Sequence, residues 1–307
     1  MEMDFYSAIE SVREKIERGE KYYALLNDKP KWNQYCASLY AIEDAQCAIE
    51  AYTSYEFPTD IKGKYLYIYG LLQALFLQQD AANGISTALL GKKIDFKQEY
   101  PSLFEIREIR NDTVGHPTLR GQANCNNQAY IQIVQMSMSR QGFNYATYRA
   151  VNDYKFEEKY VNLTKCIKEQ SESVLSILEK ICVSLDDEWK QYSEQFRGKE
   201  MRKLFENFDY AREKALEGGA IAEFGMGVAK TIVQSCKEAL NERYGDWKNK
   251  DSFRHEIEGI DEIFKLLNEP KGMLSERINH YLTEMLFIKL GNLEKYAEEI
   301  DEEFKIE

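Results

Sequence analysis

The stretch from Lys64 to Leu90 does most to limit what this chain can become. Tyr65, Leu66, Tyr69, Leu72, Leu75, Phe76 and Leu77 fall at helical spacing but cover much of the circumference rather than one stripe. A helix apolar on most sides must be covered on most sides, so it predicts a central helix with others packed around it. The neighbouring segments supply them. Asp4 to Glu17 places Phe5, Ile9, Val12 and Ile16 on one face, and Trp32 to Tyr52 reads as a long amphipathic helix opened by Pro30 and broken by Pro58. Helical character returns from Phe156 to about Phe196, then near Met201 to Leu216, Ile221 to Tyr244, Phe253 to Leu267 and Leu274 to Glu303.

The one clear β signal lies between these helical runs. Tyr130 to Met138 and Phe143 to Tyr148 are β-prone and flank Arg140-Gln141-Gly142, which predicts a hairpin near 130–150 inserted into a helical protein. Arg197-Gly198 is the expected boundary. The expected fold is mainly α: an up-and-down helical bundle over 1–196 carrying the β-hairpin, then a C-terminal helical domain or extension over 197–307.

Charge and cysteine usage narrow the function classes. A net charge of −12 argues against broad, non-specific nucleic-acid binding, since neutralising phosphates takes Lys and Arg. It leaves room for a local site, and Lys92, Lys93, Lys97, Arg107, Arg110 and Arg120 crowd one part of the sequence. Cys36, Cys47, Cys125, Cys166, Cys182 and Cys236 follow no CxxC or framework spacing, which fits free thiols better than disulfides or zinc. The start at Met1 lacks a basic and apolar leader, and the apolar run around Tyr65 to Leu77 falls short of a membrane span. The expectation is a cytoplasmic protein with no membrane partner, no metal and no cofactor.

Ile109-Arg110-Asn111-Asp112-Thr113-Val114-Gly115-His116-Pro117 is the stretch best equipped for chemistry. It follows a short helix expected over Ser102 to Val114, whose Ser102-Leu103-Phe104-Glu105 matches a capping box. Arg110 offers a rigid fork of donors to a phosphate, and a neutral His116 can take a proton near pH 7. On an ideal helix a six-residue step leaves the two about 120° apart. They converge only if the helix stops at Gly115, or if a second subunit completes the site. His116, preceding Pro117, is expected to be extended. The bland reading has Arg110 paired with Glu105, Glu108 or Asp112 while His116 caps the helix. His255 and His280 have no Arg at a comparable distance, and Gly225-Met226-Gly227 lacks the Lys-Ser/Thr of a phosphate loop. Gln78, Gln79 and Asp80 are candidates to line a cleft. Tyr145 and Tyr148 are candidates to stack bases, with cross-strand packing the plainer role.

Arg110-Asn111, four residues, then His116 resembles the signature of the HEPN superfamily (higher eukaryotes and prokaryotes nucleotide-binding), in which an Arg precedes a His by a short spacer, often with a polar residue after the Arg. The resemblance implies a helical bundle, commonly a homodimer whose two motifs face one cleft, and metal-independent endoribonuclease activity in toxin–antitoxin, antiviral-defence or RNA-processing systems. Carried onto this chain, it makes His116 the group that draws the proton from a ribose 2′-hydroxyl and Arg110 the stabiliser of charge on the phosphorane. Asn111 would orient the phosphate or His116, and Asp112 would act only if paired with a cation. Lys92, Lys93, Lys97, Arg107 and Arg120 are the candidate RNA contacts. Products would be a 2′,3′-cyclic phosphate and a 5′-hydroxyl. The implied partners are RNA, a second copy of the chain, and a regulatory or antitoxin protein. The alternative is a non-catalytic HEPN-like module that binds a nucleotide, an RNA or a protein; a third possibility is a purely structural helical protein.

Overall fold

The structure, a computed structural model, describes residues 4–120, 128–149, 156–217, 219–268 and 275–305. Among them the chain is mainly helical, with eleven α-helices and one small antiparallel sheet. It divides into two compact units, Met1–Lys15 with Asn27–Ser184, and Ile16–Leu26 with Leu185–Glu307. The change from one unit to the other thus falls inside a helix, and Arg197 comes after that helix has ended.

The first unit is built on α1 (Phe5–Ile16), α3 (Lys29–Ser54), α4 (Ile61–Leu90), α5 (Phe96–Glu99), α6 (Pro101–Arg110) and the start of α7 (Leu163–Glu194). The second contains α2 (Gly19–Asn27), the end of α7, α8 (Phe208–Glu217), α9 (Gly219–Tyr244), α10 (Asp251–Leu267) and α11 (Glu276–Glu303). Both long helices of the first unit have sound ends. Asp28 and Asp60 accept main-chain hydrogen bonds at the starts of α3 and α4, and Gly91 closes α4 at φ 65°.

α4 is central, as its composition requires. Ile68, Leu71, Leu72, Leu75 and Ile85 are buried, as are Ile9 and Val12 of α1, Ile42 and Ile49 of α3, Leu103 and Ile106 of α6, and Val174 and Leu178 of α7, and α4 packs chiefly on α3 and α6. α3 and α4 approach so closely that a Cβ on Gly84 would meet the Ser38 Oγ at 2.2 Å. Not every apolar residue of α4 is covered, however. Leu66 is 72% exposed, and Tyr69 and Leu77 also reach solvent.

The interior also holds a row of amides. Gln79 Nε2 donates to Gln170 Oε1 at 2.8 Å, Gln170 Nε2 donates to Gln78 Oε1 at 3.0 Å, and Gln78 Nε2 donates to Gln46 Oε1 at 2.9 Å. Three helices are tied through side chains that have no charge to desolvate.

The sheet departs from the expected hairpin. β1 (Ala129–Ile133), β2 (Gly142–Arg149) and β3 (Phe156–Asn162) form a three-stranded antiparallel meander with β2 in the middle, Ile131 opposite Thr147 and Tyr145 opposite Lys159. The first strand ends at Ile133, and the next residues include a 3-10 turn, Gln135–Ser137. The segment from Phe156, read as helix, is an edge strand. It is exposed at every position but Val161, so its Glu157-Glu158-Lys159 run carries none of the apolar alternation that marks a half-buried strand.

Among the described residues Cys36, Cys47, Cys166, Cys182 and Cys236 form no disulfide, while Cys125 and residues 1–3 lie outside the described residues. Among the described residues no helix is long and apolar enough to cross a membrane.

The amide row yields a stability prediction. Gln170→Leu strips partners from the buried Gln78 and Gln79, and each orphaned amide group costs about 1–3 kcal/mol. We expect a loss of roughly 2–4 kcal/mol in urea unfolding. A loss within measurement error would mean that these amides are solvated.

Candidate functional site

α6 presents the site. Pro101 stands at its first position, where a missing N–H costs nothing, and Tyr100 precedes it. Ser102 is therefore one residue too deep to cap, and the expected capping box does not form. Ser102 Oγ lies 3.4 Å from Ser173 Oγ, and Glu105 binds Lys159 at 3.0 Å. Leu103, Ile106 and Ile109 point into the core, which leaves Arg107 and Arg110 turned towards α4. Both guanidiniums lie over the Phe76 ring, at 4.1 and 4.3 Å from its centroid.

α6 does not run on to Val114. It passes into a π-turn, Asn111–Gly115, closed by the His116 N–H donating to the Asn111 carbonyl at 2.7 Å. The wider turn puts five residues under one hydrogen bond, a device often found at functional sites. It also brings Gly115 against Arg110: a Cβ there would sit 2.9 Å from the Arg110 Nη1. Gly115 is absent from the glycines with positive φ, so space for the guanidinium is what it supplies. His116 itself, at φ −136° and ψ 49°, stops short of the extended backbone expected before proline, because its N–H is committed to the turn.

Arg110 is held by neutral groups. Its Nε and Nη2 both donate to Gln73 Oε1, at 3.1 and 2.8 Å, and its Nη1 donates to Asn111 Oδ1 at 3.1 Å. The acids that could have neutralised it are engaged elsewhere. Glu108 and Asp112 bind Arg120 at 2.7 and 2.8 Å, and Glu105 binds Lys159. Burial pulls the Arg120 guanidinium down, but its bonds to Glu108 and Asp112 outweigh this and hold it above the usual arginine range.

Asn111 serves both members of the motif, its side chain holding Arg110 and its carbonyl holding His116. The imidazole of His116 is exposed, with no side-chain hydrogen bond among the described residues. Pro117 O then accepts from Ile131 N at 2.8 Å, and Arg120 exchanges main-chain bonds with Ala129, so the exit from the motif runs along the free edge of β1.

The other candidates are dispersed. Arg107 donates to Asp80 at 2.8 Å and to Gln79 at 3.4 Å, and joins Arg110 at Phe76. Asp80 and the amide row thus belong to the support of the site. Lys97 lies over Phe104 on α6, at 5.9 Å. Lys92 and Lys93, beyond the end of α4, line a separate cavity of about 620 Å³ with Tyr100 and Lys180. From Gln73 to Gly91 is about 27 Å along a helix rising 1.5 Å per residue. Tyr145 is buried on the inner face of the sheet, and burial raises its phenol pKa. Tyr148 packs on Phe156 at 5.8 Å. Sequence reasoning missed Gln73, the strongest partner of Arg110. A polar residue in an apolar stretch was its only signal.

Among the described residues, no group of three His, Cys, Asp or Glu side chains is placed to hold a metal ion. The arrangement offers a fixed cation, an exposed imidazole just past the π-turn, and neutral amides around the guanidinium.

Gly115→Ala tests the seat of Arg110. Its backbone accepts a Cβ, and the obstructing atom is the end of a flexible side chain, so the stability loss should stay below about 1 kcal/mol. The Arg110 Nε–H resonance should nevertheless shift as the fork leaves Gln73. An unmoved resonance would show that the guanidinium does not rest on Gly115.

The chain matches no family model, no curated protein and no solved structure, so any reading of this site rests on its own geometry.

Proposed function

We propose that this protein is a metal-independent endoribonuclease of the HEPN kind, cutting RNA through the ribose 2′-hydroxyl. One observation carries the reading: Asn111 holds the Arg110 guanidinium through its side chain and the His116 main chain through its carbonyl, while Glu105, Glu108 and Asp112 are paired with other cations. A guanidinium bound only to amide oxygens keeps its charge for an incoming phosphate, and repulsion from Asp112 is muted by Arg120.

In the reaction so drawn, His116 takes the 2′-hydroxyl proton as the 2′-oxygen attacks phosphorus. Arg110 stabilises the charge gathering on the non-bridging oxygens. The bond to the 5′-oxygen breaks and that oxygen takes up a proton, leaving a 2′,3′-cyclic phosphate and a 5′-hydroxyl. Arg107, beside Arg110 on Phe76, suits the next phosphate along the strand.

The surface is open, and a second copy would supply the opposite wall. Leu66, Tyr69, Gln73 and Leu77 recur at three- and four-residue spacing on α4, which sets an exposed apolar strip alongside the arginine site.

A second reading, a non-catalytic RNA- or protein-binding module, is favoured by the tethering of Nε, Nη1 and Nη2 of Arg110, which leaves few donors free.

The two separate in one assay: purified protein with mixed RNA in EDTA, beside folded His116→Ala and Arg110→Ala variants, with the product ends identified. General-base loss should lower the rate about 10²–10⁴-fold. Loss of the electrostatic group should lower it about 10²–10³-fold. RNA bound but uncut by the wild type, or cut equally by all three, would sink the catalytic reading.

A further inference from the structure

A second arginine, far from RNA chemistry in its surroundings, is short of a partner. Arg243 on α9 is 2% exposed. Its Nη1 donates to the Ala239 carbonyl at 3.2 Å and its Nη2 to the Lys199 carbonyl, while its Nε is buried with no hydrogen-bond partner. No carboxylate among the described residues is within ion-pair distance of it. Asp301 contributes a favourable field, yet its two oxygens accept the main-chain N–H groups of Met201 and Arg202, at 2.7 and 2.9 Å. Desolvation accordingly drags the Arg243 pKa below the usual arginine range. A buried charge without a counter-charge costs several kcal/mol, and apolar replacements of such groups are often neutral or stabilising.

The guanidinium does not face solid packing. It lines a cavity of about 650 Å³, within the range of small-molecule sites. The Phe196 and Phe304 rings lie 4.7 and 5.5 Å from its central carbon, and Lys295 on the same wall forms no ion pair among the described residues. Five carboxylates also line the space: Glu298, Glu302 and Glu200 are engaged by Arg202, Lys305 and Lys203, Asp301 holds main-chain N–H groups, and Glu299 is in no ion pair among the described residues.

We propose that this cavity binds a small oxyanion, a phosphate or a carboxylate, whose oxygens take the unpartnered Nε–H of Arg243, with Lys295 as second cation and Phe196 and Phe304 beneath the rest of the ligand. The site is built wholly from residues of the second unit and shares none with the Arg110 site. The Nε–H is itself enclosed, so an anion in the cavity reaches it only as the side chains around it move.

The test uses the full chain and reads no RNA. Thermal unfolding is followed against inorganic phosphate and, separately, benzoate, with sodium chloride matching ionic strength. A saturable rise in Tm beyond the chloride control is expected, and the anion with the lower half-saturation identifies the oxyanion class. Arg243→Met should unfold at the wild-type temperature or above it without ligand, and should lose the rise. Lys295→Gln, a change at an exposed residue, should raise the half-saturation several-fold. No rise beyond chloride with either anion, or the same half-saturation in Lys295→Gln as in the wild type, would overturn the proposal, whether or not Arg243→Met folds.

Discussion

The guanidinium of Arg110 rests on a glycine and is held by two amide oxygens, and the architecture around the motif follows from that seat. α6 packs through Leu103, Ile106 and Ile109, which fixes Arg107 and Arg110 over Phe76. The π-turn then widens the chain so that Gly115 fits beneath the fork and His116 returns to Asn111. An ordinary α-turn would have carried His116 around the helix, away from Arg110. The neighbouring acids complete the arrangement by their assignments. Glu105 goes to Lys159 on β3 and Glu108 and Asp112 to Arg120, so residues next to the sheet absorb the negative charge that would have quenched Arg110.

Much of this was readable from the residues, for identifiable reasons. α4 declared itself because a helix apolar on most sides has one place to go, and α1 and α3 because their apolar faces keep a single period. The motif was legible as a string, including the stop at Gly115. What escaped notice depends on sequence-distant partners or on elements without periodicity. Gln73 is 37 positions from Arg110, and nothing local links them. Asn-Asp-Thr-Val-Gly has no pattern that separates a π-turn from a frayed helix end. The Ser102–Glu105 string promised a cap, but Pro101 starts the helix early and makes the match irrelevant. β3 hid because an edge strand facing water is written in the same charged residues as an exposed helix. α2, only nine residues long, fell between Glu17 and Pro30, where the sequence reading placed no element.

Arg110 and Arg243 show two outcomes of giving an arginine only neutral acceptors. At Arg110 the group is only partly buried, so water and an incoming anion can share the work. At Arg243 the group is enclosed by two aromatic rings and carbonyls, and the unmet demand of its Nε–H is what marks the cavity wall. Burial, rather than partner chemistry, separates a poised cation from a costly one.

The amide row has a property that its individual bonds do not reveal. Arginine only donates, so Arg107 obliges Gln79 to present its oxygen, and the Gln79 amino group must then face the Gln170 oxygen. The same reasoning turns Gln170 towards the Gln78 oxygen and Gln78 towards that of Gln46. Four side chains on three helices therefore share one polarity, which Arg107 at one end and the Leu75 carbonyl at Gln170 both require. None can flip alone without setting oxygen against oxygen or amino group against amino group. The row behaves as a single oriented string of dipoles, pinned at its middle because Gln170 Nε2 also donates to the Leu75 carbonyl at 2.9 Å, so an acceptor in place of Arg107 would set oxygen against oxygen rather than reverse it.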